Sequence, residues 1–553
     1  MNLYNMERME TGMKKLFALV LALVMLCSAS ALAVEPLSTG DPVKLTIGLK
    51  TNAKVTDYEN NYFTKYLEET LNVDIEFVFF PSSSTEARQK VDLMVAANQE
   101  LPDVLLDVGL TDTAVLSFGE MGVLLPLNDY MDKAVNWKAG MEKWATPEEE
   151  ALVLKSNTAA DGNIYAFPYF YMDPNDLFCR GMYINTTWLE KLGLEVPTTT
   201  EELYDVLVAF RDQDPNGNGL KDEIPMIGTT GWSGDPVQII LNSFIYYSDY
   251  YLNAENGVLS APFIQDDFRE GLRYTAKLVK EGLLSPLSFT QGNNELKAIL
   301  ENGDNPSVVG ISTVHSGVVF NPNSMKLLDF EGISPVAGPK GLAYCYASVI
   351  EGKKTSYITK WAEDPELAFK FMDALCDTMV SMNARFGEFG VDWFWAEEGD
   401  RNKQQIPGYE AVYRSDDIVW NSASTDKIWG SNAYTLIPPK LFGGMAYPES
   451  YYTEYDENTQ KAHDMFWNSV PKRHGRAPAE LVGNLIYNAE ELEQTSEMWS
   501  TIKSYVDESI TRFVTGDLDI EKDWDSYLGN LEAMGLSYFM EVAQTAYTRM
   551  NAQ

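Results

Sequence analysis

Residues 43 to 106 constrain the fold more than any other stretch, because their apolar pattern switches repeatedly between the strand period and the helix period. Val43 to Leu49 alternates β-branched residues, and Tyr58 to Leu71 places Tyr62, Tyr66 and Leu67 on one side of a helix. Val73 to Phe80 reads as an apolar strand stopped by Pro81, and Thr85 to Asn98 as a second helix capped by Ser83 or Ser84. Pro102 to Leu106 closes the series as a short buried strand. A β-α-β-α-β order predicts an α/β fold with a mainly parallel sheet and helices on both faces. Ligand crevices in such sheets lie beyond the carboxyl ends of the strands, so Leu49 to Thr56 and the region after Leu106 are expected cleft walls.

The chain has 553 residues, more than one core usually organises, and two lobes are expected. Beyond residue 165 the texture changes. Aromatic stretches such as Tyr165 to Tyr171 alternate with amphipathic helices at Thr200 to Arg211, Asp266 to Glu281 and Pro365 to Asp377. The expected division is a first α/β lobe over 34–165, completed by a later segment, and a second, more helical lobe over 166–553. No Gly/Ser-rich or Pro-rich linker separates them, which predicts lobes joined by several short hinge crossovers.

Ahead of both lobes, Met13-Lys14-Lys15 precedes an apolar run from Leu16 to Cys27, and Ala31-Leu32-Ala33 supplies small residues for cleavage. This predicts a signal peptide over 1–33, cleaved after Ala33, with 1–12 an extension upstream of Met13, and hence a secreted, extracellular protein. Lipid anchoring at Cys27 is disfavoured, because Leu26 stands where a small residue is needed. Removing the three basic and two acidic residues of this segment leaves 39 basic against 79 acidic ones, a net of about −40. Nucleic acid and anionic membranes are thereby excluded as partners, since both need a dense basic surface. The acidic balance itself favours solubility, and a monomer is expected. Cys179, Cys345 and Cys376 remain after cleavage, too few and too scattered for a disulfide framework or a zinc site.

One loop carries inorganic chemistry. Calcium takes six to eight oxygens, and a chain supplies them from alternate side chains where glycines permit a tight curl. In Asp214-Pro215-Asn216-Gly217-Asn218-Gly219-Leu220-Lys221-Asp222-Glu223, side chains at Asp214, Asn216 and Asn218, the Leu220 carbonyl, and Asp222 with Glu223 form such a set. A register starting at Asp212, with Glu223 at the twelfth position, also fits but leaves Asn218 and Asp222 without roles. An ion-free Asn/Gly turn is the plain alternative. Ile224 to Ile227 reads as a strand, so the site is helix-loop-strand and its expected role is stability.

No catalytic constellation stands out. His315, His463 and His474 are scattered, and Gly231-Trp232-Ser233-Gly234-Asp235 fails the nucleophile-elbow pattern at its last position. Aromatics are the positive signal, because the C–H faces of sugars stack on them while the hydroxyls take hydrogen bonds. Tyr169, Trp232, Trp393 and Trp395 are the candidate ligand-binding residues, with core packing the competing role for each.

Several phrases together resemble one family. Asp161 to Pro168, Tyr183 to Leu194, Pro197 to Leu203 and the acidic loop are similar in order and spacing to extracellular solute-binding proteins of ABC sugar importers, in the long subgroup that includes alginate-oligosaccharide binding proteins. The resemblance implies a two-lobed periplasmic-binding-protein-like fold of type II, closing by hinge motion over an oligosaccharide that is delivered to a membrane permease. It also implies calcium on Asp214, Asn216, Asn218, the Leu220 carbonyl, Asp222 and Glu223, and no catalysis. The acidic balance points to a neutral sugar over a polyanionic one. An exported glycoside hydrolase, and a binding protein of the same fold for a peptide or another non-sugar ligand, are the alternative readings.

Overall fold

The computed structural model of the protein describes residues 34–174, 180–230, 234–303, 305–314, 324–403, 406, 408–415, 424–430, 434–448, 450, 460 and 469–552. In its first sheet the strand Val43–Lys50 runs parallel to Val73–Phe80 on one side and to Val104–Leu106 on the other. The strand Ser356–Ile358 adds antiparallel at the edge beside Val104–Leu106. Gly48 permits close packing here, because a Cβ would lie 2.7 Å from the Leu105 side chain and 2.9 Å from that of Phe80. The first helix spans Tyr62–Leu71 and starts at Tyr62, not Tyr58, because the Asn61 side chain accepts the Phe63 N–H and caps it there. Ser83, not Ser84, caps the helix Ser84–Ala96.

The second sheet runs in the order Phe330–Gly332, Tyr183–Asn185, Val309–Ser312, Ile224–Ile227. Only the last pair is parallel; the other two are antiparallel, which departs from the expectation of mainly parallel sheets. The cause is directional. Parallel strands deliver the chain to the cleft at their carboxyl ends, whereas Tyr183–Asn185 and Ser356–Ile358 start at the cleft and carry the chain away from it. Both follow crossings between the lobes. The helix Thr200–Asp212, held by a capping box between Thr199 and Glu202, buries Leu203, Leu207 and Phe210 under this sheet. Trp188 packs edge-on against Phe210 at 5.2 Å in that core.

The buried apolar side chains fall into groups that trace the chain's path. Leu45, Ile47 and Leu49 share a core with Phe167, Tyr169 and Phe170, with Phe369 and Met372 of the helix Pro365–Ala374, and with Trp429 and Leu436. Residues 167–172 thus pack with the first sheet, and the expected boundary at 165/166 falls inside this core. The helices Ala489–Thr515, Trp524–Ala533 and Leu536–Ala552 share a core with Leu241, Phe263 and Phe268 of the second half, where Trp499 stacks on Phe539 at 4.1 Å. The helix expected over Pro365 to Asp377 breaks after Ala374, because the Asp377 carboxylate accepts the N–H groups of Met379 and Val380 and caps Thr378–Phe386. Cys345 and Cys376 are buried free thiols, and Cys179 lies outside the described residues. Among the described residues no helix is long and apolar enough to cross a membrane.

Candidate ligand cleft and cation loop

A cavity of about 470 Å³ opens where the two halves meet. The first half contributes Asp112, at the start of the helix Asp112–Glu120, and Tyr171 of the short strand Phe170–Tyr171. The second half contributes Arg180, Asp249 and Tyr250, and the crossing segment from Tyr346 to Lys354 forms the floor with Asn484. The size is that of a small-molecule site. Of the two stretches expected to form cleft walls, the region after Leu106 supplies Asp112, whereas no residue from 49 to 56 lines the cavity.

The charges of the cleft balance in number, and two cation–carboxylate pairs are in contact. Arg180 donates to both carboxylate oxygens of Asp249, one of them at 3.0 Å, while its guanidinium lies 4.0 Å from the centre of the Tyr346 ring. Lys354 pairs with Asp112 at 2.9 Å. Glu351 accepts the Asn484 backbone N–H at 2.8 Å and its Nδ2 at 3.0 Å, tying the crossing segment to the C-terminal part of the chain. Three cations, Arg180, Lys353 and Lys354, thus face three carboxylates, Asp112, Asp249 and Glu351. Burial pushes the Tyr250 phenol well up, keeping it a neutral donor and acceptor. Gly352 lets the floor close down: a Cβ there would stand 1.8 Å from Asn157 Nδ2.

The aromatic residues singled out in the sequence are not brought together here. Tyr169 is 0% exposed, and its hydroxyl donates to the Met372 carbonyl at 2.8 Å. Its contribution to the cleft is through its backbone, whose carbonyl accepts the Lys353 N–H at 2.6 Å. Trp393 is also 0% exposed, with Nε1 donating to Asn383 Oδ1 at 2.9 Å. Neither ring has a free face for a sugar, which corrects the expectation for both: aromatic abundance does not reveal which side of a strand meets a core. Trp395 is partly buried edge-on to Trp393 at 5.0 Å and does not line the cavity. Trp232 lies outside the described residues. Residues the sequence reading passed over, Arg180, Tyr250 and Tyr346 among them, line the cleft instead. The run Tyr246-Tyr247-Ser248-Asp249-Tyr250-Tyr251 was the available signal, since it surrounds a carboxylate with aromatic rings.

The acidic loop folds back on itself between the helix Thr200–Asp212 and the strand Ile224–Ile227. Asp214 adopts φ +47°, and its carboxylate accepts the N–H groups of Gly217, Asn218 and Gly219 at 3.0–3.1 Å. Gly217 and Gly219 sit at φ +74° and +76°, where a side chain would be strained. The amides of Asn216 and Asn218 both turn Nδ2 toward Asp222, at 3.0–3.1 Å. Their Oδ1 atoms accept the N–H groups of Asn218 and Leu220 at 3.0 and 2.7 Å, so turning oxygen toward a cation in place of Nδ2 costs those two bonds. Glu223 Oε1 is buried without a hydrogen-bond partner, and burial, with the charges of Asp222 and Asp214, pushes its carboxyl up. This crowding of carboxylates around an orphaned oxygen fits a hard cation. Asp212 is turned away into a fork with Arg211 at 2.8 and 2.9 Å, which fits the register beginning at Asp214. Among the described residues, no group of three or more His, Cys, Asp or Glu is arranged to hold a metal by itself, so Asn and carbonyl oxygens would have to complete the set.

The sequence profile of bacterial extracellular solute-binding proteins matches residues 52–378. The fructooligosaccharide ABC transporter substrate-binding protein FusA of Streptococcus pneumoniae is 25% identical over 509 residues, which cover 88% of this chain and 86% of that protein. Among solved structures, an extracellular solute-binding protein from Bifidobacterium longum subsp. infantis superposes with a TM-score of 0.74 at 21% identity, over 93% of this chain and 99% of that one. An EF-hand mutant of S. pneumoniae FusA in complex with fructo-nystose superposes with a TM-score of 0.65 at 22% identity, over 92% and 99%. These superpositions show a shared fold of the two-lobed solute-binding type. Because the matched profile spans more than half of the residues, this chain belongs to the family of bacterial extracellular solute-binding proteins.

Proposed function

We propose that this protein captures a neutral oligosaccharide in the cleft between its lobes and delivers it to the membrane subunits of an ABC importer. It is a binding protein and not an enzyme. The observation that carries the sugar reading is the cleft itself: a cavity of about 470 Å³ in which tyrosines stand among equal numbers of cations and carboxylates, with Arg180–Asp249 and Lys354–Asp112 in direct contact. Balanced charges suit a polyhydroxylated ligand, which exchanges hydrogen bonds without bringing charge of its own. The relative FusA, named for fructooligosaccharides, supports the ligand class. The lobes are assigned to the two sheets with their cores, joined through residues 345–356 among others and closing by hinge motion. The protein acts outside the cell as a monomer.

The acidic loop is assigned a structural calcium ion, held by Asp214, Asn216, Asn218, the Leu220 carbonyl, Asp222 and Glu223. The EF-hand named in the FusA structure, and the orphaned Glu223 oxygen, support it. A thermal-shift screen of neutral oligosaccharides, uronate oligosaccharides and short peptides tests the ligand class. Neutral sugars are expected to raise Tm, and a shift with peptides alone would overturn the assignment.

A further inference from the structure

A second compartment, of about 370 Å³, adjoins the cleft on the side of the second sheet. Asp249 lines both compartments and is held from each side, by Arg180 facing the main cavity and by Gln238 Nε2 at 3.0 Å facing the second. That bond fixes the Gln238 amide, since the flipped form would set Oε1 against a carboxylate. Gln238 is only 4% exposed, and its Oε1 has no hydrogen-bond partner. The residue is thus held rigidly at the wall of the compartment, presenting Asp249 to it.

The rest of the lining has the same character. Asp235 and Asp507 add carboxylates, one accepting the Val237 N–H at 2.8 Å and the other the Tyr251 hydroxyl at 2.6 Å, and among the described residues no Lys or Arg lines the compartment. Leu241, Phe289 and Ile510 supply an apolar side. Carboxylates and hydroxyls beside an apolar surface match a sugar ring, which exchanges hydrogen bonds from its edge and packs its C–H face. The same wall repels an anion. A metal ion is disfavoured, because these carboxylates are not grouped to ligate one.

We propose that this compartment takes a further neutral sugar unit of the same ligand, so that the bound chain runs from the main cavity past Asp249 into the second lobe, and that uronate end units are refused. The proposal rests on the oligosaccharide reading above.

The test uses the full-length mature protein and titrates fructo-, galacto- and xylo-oligosaccharides of increasing length, with uronate-ended counterparts. Wild type is expected to bind the longer members of a neutral series about tenfold or more tighter than the shortest, the equivalent of one good hydrogen bond to a charged group. Thr511→Trp, which fills the compartment from the exposed face of the helix Ala489–Thr515, is expected to bring that ratio close to one. The isosteric Asp507→Asn is expected to reduce the ratio too, which guards against misfolding as the cause. If wild type binds a neutral series and both variants keep its length ratio, the second compartment is not part of the site. A uronate-ended chain that gains equally from length overturns the neutral assignment. If wild type binds no series at all, the oligosaccharide reading itself falls.

Discussion

Replacing Asp222 with alanine separates the calcium loop from an ordinary turn. Without the ion, the carboxylate of Asp222 accepts three hydrogen bonds from Asn216 and Asn218, at 3.0, 3.1 and 3.0 Å. A buried hydrogen bond to a charged group is worth about 1.5–3 kcal/mol, and these are worth less because Asp222 is exposed. Against that loss, the substitution relieves the crowding that pushes the Glu223 carboxyl up, where burial is the first cause and the Asp222 charge contributes. The calcium-free variant should therefore melt somewhat below the calcium-free wild type, and the quantity compared is the rise each protein shows on adding calcium. With calcium at a hundred times its dissociation constant, linkage stabilises the wild type by about 2.7 kcal/mol. For a lobe of roughly 150–250 residues that is about 5–10 °C in Tm. Asp222→Ala removes a charged ligand from the set and should lose most of this increment. Differential scanning calorimetry of both proteins, with chelator and with calcium, reads the effect. Asp212→Ala is the control, since Asp212 pairs only with the neighbouring Arg211, and it should keep the full increment. A calcium response lost in Asp212→Ala and kept in Asp222→Ala would falsify the ligand set.

Three further outcomes follow from the packing and the cleft. Trp393→Ala should lower stability by about 3–5 kcal/mol, because it empties a core, whereas Tyr250→Ala should weaken sugar binding with little change in Tm; calorimetry and titration of the pair check this, and the opposite pattern would return Trp393 to the ligand. Gly352→Ala should destabilise by about 1–3 kcal/mol through overpacking, since the new Cβ meets Asn157 Nδ2 at 1.8 Å and Val153 at 3.1 Å, and a variant with unchanged denaturant midpoint would show that the floor of the cleft can move aside. Glu491 takes a two-pronged pair from Arg549 at 2.6 and 2.7 Å, chiefly that bond holds its carboxyl below the usual value, and the pair docks the last helix. The contribution, about 1 kcal/mol after solvent screening, is present above the ordinary carboxylate range and lost as pH falls through the lowered folded value. Glu491→Gln should thus be less stable near neutrality and lose less on acidification; identical stability-against-pH curves would contradict it.

How much was legible in the sequence depended on whether the signal was local. The three parallel strands of the first sheet were readable because each is a short apolar or alternating run bounded by turn residues, and the start of the first helix shifted because the Asn61 cap overrode periodicity. The loop from Asp214 to Glu223 was readable because its oxygens and glycines lie within one turn. The cleft was not, since Asp112, Arg180, Tyr250, Tyr346 and Asn484 converge only when the chain has crossed between the lobes more than once. Each is unremarkable in its own neighbourhood. Tyr169 and Trp393 misled for a related reason: an aromatic side chain suits a core and a sugar equally, and only packing decides which it meets. The antiparallel edges of the sheets were hidden likewise, because they belong to the crossings and not to a β-α-β unit.

The central claim is that the cleft between the lobes binds a neutral oligosaccharide. Isothermal titration of the purified protein and its Tyr250→Ala variant against a panel of neutral oligosaccharides tests it most directly. The expected result is saturable one-to-one binding of at least one sugar to the wild type, weakened about tenfold or more in the variant. No heat from any sugar, or binding that the variant leaves untouched, would contradict it.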